Sequence, residues 1–193
     1  MIKFLSTLIL IFSSFSFTSS NHEFSNFFNS FERLSANFTQ STYSNTGVLL
    51  ASSSGTLLFK RPRQLIWHTL VPNKQILLLN NTKLWLVDIE LEQASLIQTT
   101  DLTQTPLYWL INRLSDINRT PQYTHTQDKI DWYSTQQANQ LSFGFKNNTL
   151  QAISLNNELD QTILVTFDSV SINPSIKANA FELNLAPEFD VLR

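Results

Sequence analysis

Phe24, Phe27, Phe28, Phe31 and Leu34 recur at intervals of three and four, with Ser, Asn, Glu and Arg between them. That spacing predicts an amphipathic helix starting from Asn21, with Asn21 as its N-cap and Glu23 in the first turn. After Ser35 the period falls to two. Short β-rich runs are predicted at Ala36–Thr46, Gly55–Arg61, Arg63–Thr69, Gln75–Leu79, Lys83–Asp88 and Gln93–Gln98. Pro72-Asn73, Asn80-Asn81 and Glu90-Leu91-Glu92 separate some of them, and Asn80-Asn81 reads as a two-residue hairpin loop because Asn tolerates positive φ. A second helix interrupts the strands. Thr105 is its N-cap, Pro106 its first residue, and Leu107, Leu110, Ile111 and Leu114 form one apolar stripe. Strands resume at Gln122–Thr126, Lys129–Thr135, Asn139–Lys146, Thr149–Leu155, Gln161–Ser169 and Phe181–Leu185, with room for a helical turn at Pro174–Lys177.

The result is a mainly β (α+β) chain with about eleven or twelve strands in one long meander. A sheet of that width must curl to bury a face, and once curled it is too wide for its own side chains to fill. It therefore encloses a hollow, and the two helices must lay their stripes on the open mouth or concave side of the sheet. In the run Arg63 to Thr69, strand parity points Arg63, Leu65 and Trp67 one way and Gln64, Ile66 and His68 the other. Arg61 shares the parity of Leu65 and Trp67 if Pro62 introduces no bulge. Its two readings are the polar end of that row or a surface arginine covering the strand edge with its methylenes.

Met1 to Ser20 carries Lys3, an uncharged apolar stretch from Phe4 to Phe17, and then Thr18-Ser19-Ser20. Such a segment predicts a secretory signal peptide over 1–20, its apolar run of about 14 residues being short of the roughly 20 that span a bilayer. The remainder, 21–193, is expected to be a single exported domain. Composition narrows its chemistry. With 13 Lys+Arg against 15 Asp+Glu, the 193-residue chain has no excess positive charge to neutralise phosphates, so nucleic-acid binding is not expected. Zero Cys excludes disulfides, thiolate metal sites and a cysteine nucleophile. The three His, at 22, 68 and 125, show no metal-ligand spacing, no Ser sits in a nucleophile elbow, and three Gly make no phosphate loop. No enzyme, metal or cofactor is expected.

Several strings in order resemble the LolA family of periplasmic outer-membrane lipoprotein carriers. They are Phe38-Thr39-Gln40, Gly55-Thr56-Leu57 leading into Lys60-Arg61-Pro62, Trp67-His68 with Pro72, Leu84-Trp85, Glu92-Gln93-Ala94, Thr105-Pro106-Leu107, and Phe181-Glu182-Leu183 followed by Pro187. The resemblance spans roughly residues 21 to 193. It implies an incomplete, curved antiparallel β-barrel of about eleven strands whose hydrophobic cavity is closed by an α-helical lid. It also implies that the protein takes acylated lipoproteins from an inner-membrane lipoprotein-releasing ABC transporter, carries them through the periplasm, and passes them to an outer-membrane lipoprotein receptor. The family's arginine in the Arg-Pro string holds the lid closed through hydrogen bonds to lid backbone, and it matches Arg61. Two departures stand out: Asn80-Asn81 where Asp-Gly is common, and Trp85-Leu86-Val87 where Trp-x-Tyr is usual.

On this reading Arg61 is a lid latch. Phe24, Phe27, Phe28, Phe31, Leu65, Trp67, Leu107, Leu110, Ile111 and Leu114 line an acyl-chain cavity, and the protein works as a monomer. The competing expectation is an exported half-barrel lipid-binding or sensor module of another pathway. Such proteins commonly append a domain or anchor, and its absence from the chain favours the dedicated carrier.

Overall fold

The computed structural model describes residues 23–97, 106–117, 120–135 and 141–192. The signal segment, the two N-cap residues Asn21 and Thr105, and the side chains of Leu107 and Ile111 lie outside the described residues. The chain runs α1 (Glu23–Asn29), β1 (Arg33–Tyr43), β2 (Leu49–Lys60), β3 (Gln64–Val71), β4 (Gln75–Asn80), β5 (Lys83–Asp88), β6 (Gln93–Ile97) and α2 (Pro106–Ile111). A 3-10 turn (Leu114–Asp116) follows, then β7 (Gln122–Gln127), β8 (Ile130–Ser134), β9 (Ser142–Lys146), β10 (Thr149–Asn156), β11 (Thr162–Ile172) and β12 (Asp190–Leu192).

All twelve strands form one open sheet in the order β12-β6-β5-β4-β3-β2-β1-β11-β10-β9-β8-β7. Two meanders, β1 to β6 and β7 to β11, meet where β1 pairs antiparallel with β11. Irregular register at Ser35/Asn37, Thr42/Tyr43, Ser54/Gly55, Leu150/Ala152 and Tyr123/His125 marks bulges, each of which raises local twist and bends the sheet. At Gly55 a side chain would run into the carbonyl oxygen of His68 on β3, so the close approach of β2 and β3 there requires glycine. The two meanders also explain the second helix. β6 and β7 stand near opposite edges of the sheet, and α2, which lies between them in the chain, packs on the concave face.

The concave face carries continuous apolar rows. Leu34, Phe59, Leu65, Leu79 and Leu84 stand opposite one another across β1 to β5, and Ala36, Leu57, Trp67 and Leu77 form the next row. The helices, Phe143, Phe145 and Tyr133 pack onto this face as one buried cluster. A second cluster covers the convex face of β4 to β6, where Leu78, Trp85, Val87 and Ala94 meet Phe181 of the C-terminal segment.

Several sequence expectations need correction. α1 ends at Asn29, because Ser30 donates from its backbone N and its Oγ to the Phe27 carbonyl and turns the chain; Phe31 lies in the turn and Leu34 in β1. Leu34 fits the helical spacing and also the strand row Leu34, Ala36, Phe38, and the strand wins. β1 consequently runs Arg33–Tyr43, three residues earlier than expected. β2 starts at Leu49, taking in the polar Ser52-Ser53-Ser54 that period-two alternation does not mark. The tight β4–β5 loop is Asn81-Thr82, with Asn81 at φ 56 and Asn80 still paired to Lys83.

Phe181–Leu185 is not a strand. Its residues alternate in burial but form no backbone ladder with a neighbouring strand, the Phe181 carbonyl accepting instead from the Asn80 side chain of β4 at 2.9 Å, and the last strand is β12, which pairs parallel with β6. The sheet is therefore not wholly antiparallel. Pro174–Lys177 makes no helical turn; a turn over residues 178–181 follows instead, closed by bonds from Ala180 N to Lys177 O and Glu182 N to Asn179 O. Leu114 belongs to the 3-10 turn rather than to α2.

Candidate functional site

The site grows from the end of β2. Arg61 follows Lys60 directly, its backbone N bonds the Glu32 carbonyl, and its side chain turns under the helices, 6% exposed. Arg63 does not share its environment: in a turn at φ 54 it is half-buried and donates Nε to the Asn81 carbonyl. The turn at Pro62 thus breaks the parity on which the sequence placed Arg63 with Leu65 and Trp67.

Arg61 donates Nη1 to the carbonyls of Phe28 at 2.7 Å and Phe31 at 3.0 Å, and Nε to the carbonyl of Leu110 at 3.5 Å. The last carbonyls of a helix have no intrahelical donor, and cations are favoured at helix C-termini, so one guanidinium serves the ends of both helices. Its charge also lies over the Phe31 ring, 4.5 Å from the centroid. Burial pushes the Arg61 pKa down, partly offset by the nearby Glu32 carboxylate, and Arg113 adds a small downward push; an arginine keeps its proton nonetheless. Nη2 is buried with no hydrogen-bond partner among the described residues.

Beyond the fork, α1 inserts aromatic side chains into the concavity. Phe24 lies 5.2 Å from Phe143, 5.9 Å from Phe145 and 5.6 Å from Trp109 of α2, most of these contacts edge-to-face. Phe28 meets Phe143 at 5.7 Å, Phe27 meets Phe145 at 5.5 Å, and Phe31 meets Phe59 at 6.0 Å. Together with Leu65 these four are completely buried and fill that half of the concavity.

The other half is not filled. A hollow of about 280 Å³ lies beneath α2, lined by Gln40, Trp67, Leu77, Pro106, Leu110, Ile153, Leu155, Ile163 and Val165. Gln40 is the one polar residue in that set. Of the residues expected to line a cavity, Trp67 and Leu110 do so. Leu114 is half-buried against the core, and Phe24, Phe27, Phe28, Phe31 and Leu65 pack in the filled half. The sequence reading missed Leu77, Ile153, Leu155, Ile163 and Val165. Parity within their strands was the available signal, but which face is concave depends on pairing across β1 and β11.

Among the described residues no group of three or more His, Cys, Asp or Glu could hold a metal, and no helix is long and apolar enough to cross a membrane.

The chain is similar to known proteins over most of its length. The family described as outer membrane lipoprotein carrier protein LolA matches residues 29–184. The outer-membrane lipoprotein carrier protein of Pseudomonas paraeruginosa is 30% identical over 174 residues, covering 86% of this chain and 83% of the relative. That of Hahella chejuensis is 28% identical over 172 residues, covering 84% and 82%. The crystal structure of a LolA superfamily protein from Nitrosomonas europaea, 10% identical, aligns with 84% of this chain and 97% of its own at a TM-score of 0.48.

Proposed function

Because this chain belongs to the LolA family of outer membrane lipoprotein carrier proteins, we propose that it carries lipoproteins by sheltering their acyl chains between its concave sheet and its two helices. The family's description is that of a carrier and not of an enzyme. In this reading residues 1–20 direct export and are removed, residues 21–193 work in the periplasm as one monomeric domain, and cargo passes from an inner-membrane lipoprotein-releasing ABC transporter to an outer-membrane receptor.

The observation that carries the reading is the apolar hollow beneath α2, roofed by a helix whose C-terminal carbonyl is held by Arg61. Burying acyl chain is worth about 0.8 kcal/mol per CH₂, so a lipoprotein left in water would bear a cost of tens of kcal/mol and needs a dry site to cross. The 280 Å³ hollow falls just under the roughly 300–1,000 Å³ of ordinary small-molecule sites. It admits part of one chain, and full cargo requires the helices to move.

Moving them exchanges one apolar contact for another. The Phe-rich stripe of α1, Leu110 of α2, and Leu65 and Trp67 of the sheet are covered by one another in the empty protein and by acyl chain in the loaded one. Net affinity is then a small difference between large terms, which lets a somewhat better binder take the cargo. Arg61 sets the balance by stabilising the closed state through the carbonyls of Phe28, Phe31 and Leu110.

The test adds purified protein to spheroplasts and follows lipoproteins into the soluble fraction. One-to-one complexes are expected with the wild type. Arg61→Leu, which leaves the carbonyls of Phe28, Phe31 and Leu110 without their donor, should still take up lipoprotein but pass it to outer membranes several-fold more slowly. Release as fast as wild type would remove the latch role; no soluble complex at all would remove the carrier reading.

A further inference from the structure

The two ends of the sheet differ in chemistry. At the end that holds Arg61, the tight turns are polar: Arg61 to Arg63, Asn81-Thr82, Asp128-Lys129 and Asn147-Asn148. At the other end, where the hollow lies, the rim exposes aliphatic side chains: Val48 just before β2, Leu49 and Leu50 at its start, Val71 at the end of β3, Leu91 between β5 and β6, and Leu159 between β10 and β11. We infer that this end is a lipid-facing surface, and that the β1–β2 hairpin tip enters the apolar region of a bilayer of neutral lipid.

Three observations single out the tip. First, Val48, Leu49 and Leu50 are 59%, 54% and 52% exposed, and Ala51 and Ser52 after them are exposed too. Consecutive strand residues face opposite sides, so an exposed run means that both faces are bare. β3 stops pairing with β2 at Ser54, which leaves Leu49–Ser53 projecting past it. A folded protein partner would cover one face of such a hairpin; a fluid hydrocarbon layer surrounds it.

Second, no Asp, Glu, Lys, Arg or His occurs from Leu34 to Phe59. Entry of the tip therefore desolvates no charge, the most expensive group to bring into a membrane.

Third, the turn satisfies several of its own backbone groups. Gly47, at φ 81, donates to the Ser44 carbonyl at 2.9 Å, Ser44 N donates to the Val48 carbonyl at 2.8 Å, and Ser44 Oγ accepts from the amides of Thr46 and Val48. Unsatisfied amides are what keep loops out of hydrocarbon, and here the three turn amides of Thr46, Gly47 and Val48 are satisfied. Tyr43, half-buried opposite Leu49, is placed where an interfacial aromatic would lie.

Charge selects the lipid. Leu91 and Leu159 are flanked by Glu90, Glu92, Glu158 and Asp160, which outweigh Lys74 of the β3–β4 turn at the same end, disfavour an anionic surface and hold those two turns at the headgroup level while the uncharged tip goes deeper. The geometry also joins surface to site: Gln40 and Trp67 of the hollow lie on β1 and β3 just inside this rim, so an acyl chain leaving the bilayer beside the tip has a short apolar route inward. The inference stands apart from the carrier reading, since the tip would seek lipid whether or not the hollow holds a chain.

A chain without cysteine allows a single label. Protein purified after export carries an environment-sensitive fluorophore at Leu49→Cys, or at Gln127→Cys on β7 as a control, and is mixed with phosphatidylcholine vesicles. The expected result is blue-shifted emission, quenched by brominated acyl chains, at position 49 alone. It should survive 0.5 M salt and weaken as phosphatidylglycerol replaces phosphatidylcholine. Adding Val48→Ser and Leu50→Ser to the labelled protein should weaken vesicle binding by about tenfold or more, with the thermal midpoint unchanged because these side chains are already in water. An unshifted label at position 49, equal shifts at both positions, or a serine variant that binds as before would overturn the inference. So would concentration-dependent self-association through the tip without vesicle binding, which would assign it to a second copy of the chain.

Discussion

The helices α1 and α2 cover the same concave face, yet they are held by different means. α1 is fixed along its whole length: Glu23 accepts from the Asn148 amide, three of its phenylalanines enter an aromatic cluster with Phe143 and Phe145, and two short Arg61 bonds hold its end. Asn173 then pins the exit, accepting from the amides of Glu32 and Arg33. α2 has Trp109 and Leu110 buried, one long Arg61 bond, and an exposed Glu32–Arg113 ion pair of the kind that contributes little. Beneath it lies empty space. This contrast predicts that α2 moves first and that α1 is the part it closes against.

The sharpest way to break this contrast is to truncate one side chain in each helix. Phe28→Ala should lower unfolding free energy by about 3–5 kcal/mol, because it opens a void in a filled aromatic cluster. Leu110→Ala should cost about 2–3 kcal/mol, since the space it leaves merges with a hollow already present. Equal losses in denaturant titrations would mean that the two helices are equally packed.

Amide exchange gives a smaller effect on the same question. Amides bonded within α2, such as Asn112 N to the Tyr108 carbonyl, should exchange at least about tenfold faster than those of α1, a difference of ~1.4 kcal/mol in opening. Uniform protection across both helices would make the lid a single unit. The smallest expected change in stability, within about 1 kcal/mol, comes from filling the hollow with Leu155→Phe. That variant should fold as before while losing most of its uptake of an apolar dye. If dye binding were unaltered, the hollow under α2 would not be where chains first enter.

Much of this was readable in the sequence, and the failures have identifiable causes. Period-two alternation located eleven of the twelve strands, and the Pro106 start and apolar spacing located α2. Leu34 was misassigned because a residue three after Phe31 and two before Ala36 satisfies both periods at once. Phe181–Leu185 alternates as a strand does, but alternation reports a two-sided environment and not a backbone ladder; here the C-terminal segment lies across the convex face, tied to β4 by the Asn80 side chain and not by strand pairing. β12 was missed for the opposite reason, having three residues, all exposed. At the site, the Arg-Pro string pointed to Arg61, whereas Leu77, Ile153, Leu155 and Ile163 had nothing to distinguish them from other aliphatic strand residues.

By itself the sequence determined the strand-rich architecture, the presence of two apolar helical stripes needing cover, and a chemistry without thiol or excess positive charge, since each of these is a local property of residue type and spacing. Tertiary structure decided which face of each strand turned inward, which half of the concavity the α1 phenylalanines filled, and that Arg61 rather than Arg63 reached the helix carbonyls. Those outcomes depend on pairing between strands more than a hundred residues apart, β1 with β11 above all. No local pattern encodes the distance from a guanidinium to a carbonyl that only the folded sheet brings near it.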